Sequence, residues 1–419
     1  MNKWIFSVIL ILIFFVNMPQ IVLAKDNLSL NELISEAVKN NSEIKQISSK
    51  LDASRLREVQ EKALEDPQFG FGLMNIPLNI PAFGTEMMTS GEVFVSQMIP
   101  YPEKLTLKGR MAGIMADIDY QMLLSKINEI KREIKMDYFQ LFLVNRQIEV
   151  ALKNKQIIKD FVKIAETKYI VNQGTQQDIL RANVEQSKLT QKLIGLLQQK
   201  NNLKIRLAYY LGTPSAIING EPGNIKLSKI NYSLNQLEEI TRVNQPEINM
   251  AEKNIYLRET ENRMARLEYI PDFDFMLSYG FKPERADMIS GRITINLPVW
   301  YKDKQNNRVK ETENLIKANT EGLNSRKNEI VFTLRSLLNQ IESQEKIYQL
   351  ITIGTIPQAE QYLKSAISGY SVGKIDFQAL LESLMTLLDY EIDASMSLAE
   401  HEKDIAELEF MTGRDLVKR

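Results

Sequence analysis

The sequence predicts a mainly α fold with a small membrane β-barrel contribution, arranged as a tandem duplication of one plan. The 18 glycines and 13 prolines are few for 419 residues, which favours long uninterrupted helices. Apolar residues recur at a seven-residue spacing through the longest periodic stretch, as in coiled-coil packing. Short landmarks also repeat in the same order in the two halves of the chain.

Residues 1–24 are predicted to be a secretory signal peptide and not a part of the fold. Lys3 supplies a positive charge, residues 4–16 are apolar, and Ala24 is the small residue before the predicted cleavage site. An amino-terminal anchor helix is the alternative, although the apolar run is short for the roughly 20 residues of a membrane span. We therefore expect an exported chain that is periplasmic, secreted or in an outer membrane.

The two predicted copies cover residues 25–232 and 233–419. The segment SLNEL that starts at Ser29 recurs as SLNQL from Ser233, and Pro67 recurs as Pro271. Each copy is predicted to contain a helix, two strands, a very long helix and a return helix. The predicted helices are 31–65, 103–169 and 175–211 in the first copy, and 234–269, 301–370 and 375–412 in the second.

The predicted helix lengths are mutually consistent. At about 1.5 Å per residue, helix 103–169 spans roughly 100 Å, and helices 31–65 and 175–211 each span roughly 55 Å. We therefore expect the long helix to pack against two short helices that lie end to end. Rods of this length are typical of a protein that bridges a distance.

Four short segments, near residues 69–74, 93–96, 273–279 and 292–297, alternate with the period of a β-strand. With its flanking residues each segment is about 8–10 residues long, near the length of a tilted membrane-spanning strand. The last two have an apolar face and a polar face. The residues predicted to face lipid are Phe273, Phe275, Leu277, Ile293 and Ile295. The residues predicted to line the barrel interior are Asp272, Asp274, Arg292, Thr294 and Asn296.

The alternative for these segments is a pair of soluble hairpins that pack on helices. If the strands do enter lipid, four are too few to close a barrel, and open strand edges are not tolerated there. Several copies of the chain would then have to contribute strands to one barrel.

Composition excludes several kinds of site. With no cysteine and one histidine, the chain has no thiolate site and no multi-histidine metal site of its own. It shows no nucleophile–base pair and no phosphate-binding loop, so we expect no enzyme activity, no cofactor and no metal. The net charge of −1 argues against a nucleic-acid partner. We expect His401 to lie on the surface of the last helix.

Several motifs occur in a characteristic order along the chain. They are NNSE at 40–43, NQPE at 244–247, QMIPYPEKL at 97–105, KYIVNQGTQQDILRA at 168–182, and GYSVGKIDF at 369–377 followed by Leu380, Leu381 and Glu382. In this order they resemble the TolC-like outer membrane efflux protein family across essentially the whole chain after residue 24. The two turn segments look most like the heavy-metal efflux branch of that family.

The resemblance implies a TolC-like α-helical barrel with four β-strands per protomer, assembled as a homotrimer in outer-membrane lipid and extended into the periplasm. It implies a passive exit duct of a tripartite efflux or type I secretion system. Its partners would be a periplasmic adaptor (membrane fusion) protein and an inner-membrane transporter. The alternative function is a periplasmic coiled-coil adaptor or scaffold without a pore.

The two helix reversals form the periplasmic tip in the family, where the adaptor docks. The corresponding residues here are Val171, Asn172, Gln173, Gly174, Thr175, Ser371, Val372, Gly373 and Lys374. A reversal needs a residue that tolerates the left-handed conformation, which predicts Gly373 and either Asn172 or Gly174. Glu382 matches an acidic tip constriction of the family, and Asp376 is a second candidate. The alternative for Glu382 is that it lies on a solvated helix face. The alternative for Asp376 is that it stabilises the amino terminus of a helix.

Overall fold

The computed structural model describes residues 27–78, 87–282 and 285–417. The predicted signal peptide, residues 1–24, lies outside these ranges. The helices are α1 (Leu30–Asn40), α2 (Ser42–Lys62), α3 (Pro102–Ile170), α4 (Gln176–Tyr210), α5 (Leu234–Asn244), α6 (Pro246–Leu267), α7 (Gln305–Gln349), α8 (Ile356–Ser371) and α9 (Phe377–Thr412). The strands are β1 (Asn27–Leu28), β2 (Gln68–Met74), β3 (Ser90–Ile99), β4 (Glu221–Pro222), β5 (Phe273–Phe281) and β6 (Met288–Ile295).

The longest helix, α3, confirms the predicted helix at 103–169. It has 69 residues and begins at Pro102, where the missing N–H of proline costs no helical hydrogen bond. Its seven-residue stripe is buried along most of its length. The buried members include Ile130, Ile134, Leu141, Val144, Ala151, Ile158 and Ala165. Packing of this stripe, rather than helix propensity alone, holds so long a helix together.

The predicted single helices 31–65 and 234–269 are wrong, because each is two helices. The first breaks at Asn41, whose side-chain oxygen accepts hydrogen bonds from the backbone N–H groups of Glu43 and Ile44 and so caps α2. The second breaks at Gln245, because Pro246 disfavours a helical conformation in the residue before it. At the first break a side chain thus bonds the free backbone N–H groups, whereas α6 has no side-chain cap.

The predicted helix 301–370 is also interrupted. Residues 301–304 form turns, α7 begins at Gln305, and a π-helical turn at Leu350–Thr355 separates α7 from α8. Pro357 lies in the first turn of α8 and, having no N–H, donates no hydrogen bond to the preceding turn.

The helices pack as the lengths predict. Near the sheet, α3 packs between α2 and α6, and toward the turn after Ile170 it packs between α4 and α9. Helix α7 packs on α6 and then on α9, and α8 continues along α9. Helices α2 and α4 therefore form one edge of the protomer, and α7 and α8 form the other. The order of elements is the same in both halves; their origin by duplication stays a prediction.

Strands β2, β3, β5 and β6 form one antiparallel sheet in that order, and β1 pairs in parallel with β4 beside the helices. The sheet lies at one end of the helices and joins β3 of the first half to β5 of the second. Among the described residues, no helix is both long and apolar enough to cross a membrane.

Candidate functional site

One face of the four-stranded sheet is apolar and exposed. The register places Phe273 opposite Ile295 and Phe275 opposite Ile293, so that these side chains share a face. Leu277 follows on the same face and is 62% exposed. A soluble domain normally covers such a surface, because contiguous exposed apolar patches are rare on soluble monomers. The five residues predicted to face lipid therefore form one continuous surface.

The other face of the sheet carries the polar members of the alternation. Asp274 lies opposite Thr294, and Arg292 lies opposite Met276, on the face away from Phe275. Charges of both signs and a hydroxyl therefore lie on this face, where Glu92 of β3 and Asp274 give two acidic strand residues against one basic residue, Arg292.

Two of the residues predicted to line a barrel interior lie outside the strands. Asp272 precedes β5, and its carboxylate accepts hydrogen bonds from the backbone N–H of Tyr101 and the ammonium of Lys104, at 2.9 Å and 2.8 Å. Asn296 follows the end of β6 and is exposed. Asp272 thus joins the end of the sheet to the start of α3.

Two phenylalanines pack over glycines of neighbouring strands. Phe94 lies opposite Gly70, and Phe281 lies opposite Gly91, where a Cβ on either glycine would collide with the ring. The sequence analysis did not predict these pairs. The signal was a glycine within β2 and another within β3, each of which an aromatic side chain of the neighbouring strand can cover. The pairs fix the register of β2, β3 and β5.

Neither outer strand of the sheet has a further neighbour among the described residues. Strand β2 pairs only with β3, and β6 pairs only with β5. Every residue of β6 is exposed. Open edges of this kind invite pairing with another chain.

The two helix reversals are built alike. Asn172 has φ of 56° and Gly373 has φ of 74°, so these two residues take the left-handed conformation while Gly174 does not. The residue after each of them donates a backbone hydrogen bond to the end of the preceding helix. Gln173 donates to the carbonyl of Lys168 at 2.8 Å, and Lys374 donates to the carbonyl of Gly369 at 2.9 Å. The predicted left-handed residues are confirmed, with Asn172 chosen over Gly174.

The structure holds the two reversals together. The ammonium of Lys168 donates to the backbone carbonyl of Tyr370 and lies 4.4 Å from the centre of its ring. The Tyr370 ring packs edge-on against Phe377 at 5.6 Å. Burial, reinforced by the Asp178 carboxylate, raises the pKa of the Tyr370 hydroxyl. The ends of α3 and α8 therefore form one unit.

The two candidate constriction residues have different surroundings. The side chain of Asp376 caps α9 by accepting the N–H of Ala379 at 2.8 Å. Glu382 is exposed on the same helix. Six residues separate them in sequence, which corresponds to about 9 Å along a helix. The structure therefore does not bring them together.

Buried ionisable side chains in the middle of the helices were not foreseen. His401, expected on the surface, is completely buried, and its Nδ1 lies 3.2 Å from the carboxylate of Glu402. That carboxylate also accepts hydrogen bonds from the backbone and the hydroxyl of Ser228. His401 is buried because the segment before α5 crosses α9 here, which a helical pattern alone does not show.

A buried ion pair ties the carboxyl-terminal segment to α3. Lys135 donates to Glu409 at 2.8 Å and to Asp415 at 2.6 Å. Glu409 also accepts the backbone N–H groups of Leu416 and Val417. Lys135 therefore holds the residues after α9 against the long helix. Its ammonium can be buried because two carboxylates compensate its charge.

Comparisons with known proteins agree with this architecture. No protein-family model matches the chain, and no curated protein matches it. Among solved structures, it is similar to the outer membrane protein VceC of Vibrio cholerae, at 14% identity and a TM-score of 0.76 over 92% of this chain and 96% of that chain. It is also similar to the open state of the MtrE outer membrane channel of Neisseria gonorrhoeae, at 14% identity and a TM-score of 0.76, over 92% of this chain and 89% of that chain.

A third similar structure is CusC, studied for transmembrane channel formation, at 13% identity and a TM-score of 0.79 over 92% of each chain. At these identities the similarity concerns the fold. The chain therefore has the fold of these outer-membrane channels, the fold that its resemblance to the TolC-like family predicted.

Proposed function

We propose that the chain is one protomer of a homotrimeric exit duct in the outer membrane, which continues as a helical tunnel into the periplasm. The observation that carries this proposal is the sheet: it has an exposed apolar face and two outer edges that pair with no described residue. In lipid every backbone polar group must be paired, so the outer edges of β2 and β6 need strands from other copies. Three copies joined edge to edge close such a barrel.

The alternation of the strands assigns the two faces of that barrel. Phe273, Phe275, Leu277, Ile293 and Ile295 face the lipid. Asp274, Arg292 and Thr294 face the water-filled interior, and Asp272 and Asn296 lie at its periplasmic mouth. This arrangement follows the rule that lipid-facing and lumen-facing residues alternate in membrane barrels.

The helical edges of the protomer support a cyclic assembly. The α2–α4 edge exposes apolar side chains, as does the edge formed by α7, the π-helical turn and α8. On the first edge they include Leu56, Val59, Leu180, Val184, Ile194 and Ile205. On the second they include Phe332, Leu350, Ile353, Tyr362 and Ile367. Packing one edge against the other generates a closed ring of identical head-to-tail contacts.

The tip supports a docking role. Val171 and Val372 are exposed in the two left-handed turns, beside Asn172, Gln173, Gly174, Thr175, Ser371, Gly373 and Lys374. Exposed apolar side chains in rigid turns suit contact with the helices of a periplasmic adaptor, which in turn engages an inner-membrane transporter. Glu382, exposed near the tip, is the proposed constriction residue, while Asp376 serves as a helix cap. Efflux and type I secretion both use a duct of this plan.

A matched pair of substitutions on β5 tests insertion. Leu277→Glu places a charge on the lipid face. A lysine at the middle of the membrane destabilises a barrel by about 2–4 kcal/mol, and a glutamate by somewhat less. Met276→Glu places the same charge on the opposite face, beside Arg292. We expect Leu277→Glu to reduce recovery of the protein in the outer membrane, and Met276→Glu to leave it unchanged. Equal recovery of both variants, in a protein soluble without detergent, would favour the periplasmic scaffold.

A further inference from the structure

A cavity of about 450 Å³ lies where the sheet meets the helices. It is bounded by the segment that leads into β5 and the segment that leads from β6 into α7. Its polar lining includes Lys104, Glu268, Asp272, Lys304 and Gln305. In the assembly proposed above, this is the level at which the barrel leaves the lipid on the periplasmic side.

One side of the cavity is an exposed apolar collar, which consists of Leu297, Val299 and Trp300. Trp300 is 75% exposed, although tryptophan is a residue that folding normally covers. Its backbone is held in the turn, because its carbonyl accepts the N–H groups of Asp303 and Lys304 at 3.1 Å and 3.0 Å. Leu297 continues the alternation of Ile293 and Ile295, so the collar extends the apolar face of β6. Tryptophan is enriched at this depth of membrane proteins.

The polar lining contains an unsatisfied acceptor. The side chain of Gln305 is part of a residue only 7% exposed, and its Oε1 accepts no hydrogen bond from a described residue. Buried acceptors are normally paired, so this oxygen calls for a donor from outside the chain. The carboxylate of Glu268 lines the same cavity and attracts the same kind of donor.

The two lysines of the cavity differ. The ammonium of Lys104 is occupied by Asp272 and by the carbonyl of Ile270, both at 2.8 Å. Lys304 is exposed and forms no ion pair with a described residue. Lys304 is therefore available to an anion, and it lines the same cavity as the acceptors Gln305 and Glu268.

We infer that this cavity binds the headgroup of a phosphatidylethanolamine in the inner leaflet of the outer membrane, an inference that rests on the proposed function. The primary ammonium of the headgroup donates to Gln305 Oε1 and Glu268, and its phosphate pairs with Lys304. The collar contacts the glycerol and the first methylenes of the acyl chains. Phosphatidylcholine carries the same phosphate but no N–H, so it leaves Gln305 unsatisfied.

Trp300 provides a direct probe of this site. The sequence holds 2 tryptophans, Trp4 and Trp300, so Trp300 is the sole tryptophan of a chain expressed from Lys25 onward. The trimer is reconstituted in lipid nanodiscs that contain small fractions of lipid with brominated acyl chains, which quench tryptophan fluorescence on contact. The bromine is placed on phosphatidylethanolamine in one series and on phosphatidylcholine in the other.

We expect brominated phosphatidylethanolamine to reach half-maximal quenching at about one tenth of the fraction that phosphatidylcholine needs, because one charge-assisted hydrogen bond changes affinity by about that factor. Gln305→Met keeps the length of the side chain and removes the acceptor, so the two titrations should converge. Lys304→Gln should weaken both titrations. Lys317→Gln, an exposed lysine of α7 away from the cavity, is the matched control and should change neither.

Three outcomes would overturn the inference. Equal quenching by the two lipids in the unsubstituted protein would show that the headgroup is not read. An unquenched Trp300 in trimers that still conduct ions would place the collar away from lipid and leave the duct intact. Dissociation of the Trp300→Ala trimer would identify the collar as a contact between copies of the chain. Absence of both quenching and conductance would instead count against the duct itself.

Discussion

The side-chain amide of Asn41 donates a hydrogen bond to the backbone carbonyl of Tyr210 at 2.9 Å, and so ties the break between α1 and α2 to the end of α4. Gln245 makes the corresponding bond to the carbonyl of Phe410 at 3.4 Å, between the α5–α6 break and the end of α9. Each half of the chain thus fixes a helix break against a helix end. These joints align the short helices end to end beside the long ones.

Asn41 has two roles that substitutions separate. Asn41→Ala removes both the cap of α2 and the bond to Tyr210, and we expect it to lower the free energy of unfolding by about 1–3 kcal/mol. Asn41→Asp keeps an oxygen that accepts from Glu43 and Ile44 but cannot donate to Tyr210, so it should cost less than Asn41→Ala. Thermal unfolding of the detergent-solubilised protein measures the order, and equal losses would contradict the two-part role.

The second joint depends on Gly413. This residue has φ of 67°, and a Cβ on it would lie 2.8 Å from the carbonyl carbon of Asn244. We expect Gly413→Ala to destabilise the protein by about 1–3 kcal/mol, because the left-handed conformation and the close approach both exclude a side chain. Gly195→Ala is the control: that glycine lies inside α4 with no atom near its Cβ position, so alanine should stabilise by about 0.5–1 kcal/mol. A neutral Gly413→Ala would show that the joint can open.

Lys168 links the two reversals of the tip. Lys168→Met removes the bond to the Tyr370 carbonyl and the contact with its ring, and we expect a local loss of about 1–3 kcal/mol. Amide hydrogen exchange at residues 171–175 and 371–374 should accelerate together. Lys163→Met, which removes only a surface pair with Asp160, should leave both turns unchanged. Acceleration in the first turn alone would mean that the reversals are independent.

Asp404 makes the stability of the folded protein depend on pH. Burial, reinforced by Glu400 and Glu407 and opposed by His401 and Lys403, raises the pKa of Asp404 from 3.8 to about 6. The folded protein therefore holds this proton more tightly than the unfolded chain, and the contribution of Asp404 to stability falls as pH rises from about 4 to about 6. Asp404→Asn should remove that slope and raise the melting temperature at pH 7. A steeper loss of stability in the variant over this range would contradict the assignment.

The long helices were predictable from sequence, because the stripe of α3 repeats over many turns and its burial depends on periodicity alone. The breaks were not foreseen, although Pro246 is a local signal that the residue before it leaves the helix. The π-helical turn likewise has local signals in Gly354 and Pro357. Its exact position also depends on the packing of α7 and α8 against α9. The apolar pattern thus predicts where these helices form, and local prolines mark two of the places where they are interrupted.

Some residues of the candidate sites were likewise predictable from sequence, and others were not. Asn172 and Gly373 were predictable, because the left-handed conformation restricts the choice of residue. The contact of Lys168 with Tyr370 was not, because the two residues lie far apart in sequence and meet only when the helix ends pack. The same holds for His401, which is buried by a segment that approaches from before α5. Asp272 was assigned to the barrel from alternation, whereas its bonds to Tyr101 and Lys104 place it at the junction with α3.

The most direct test of the proposed function is the conductance of the purified protein in a planar lipid bilayer. We predict discrete ion-conducting steps from a trimer in detergent, with a modest preference for cations because Glu92 and Asp274 outnumber Arg292 on the polar face of the sheet. Leu277→Glu should reduce the frequency of insertion, and Met276→Glu should insert normally. A protein that stays monomeric and soluble without detergent, and that never conducts, would contradict the account.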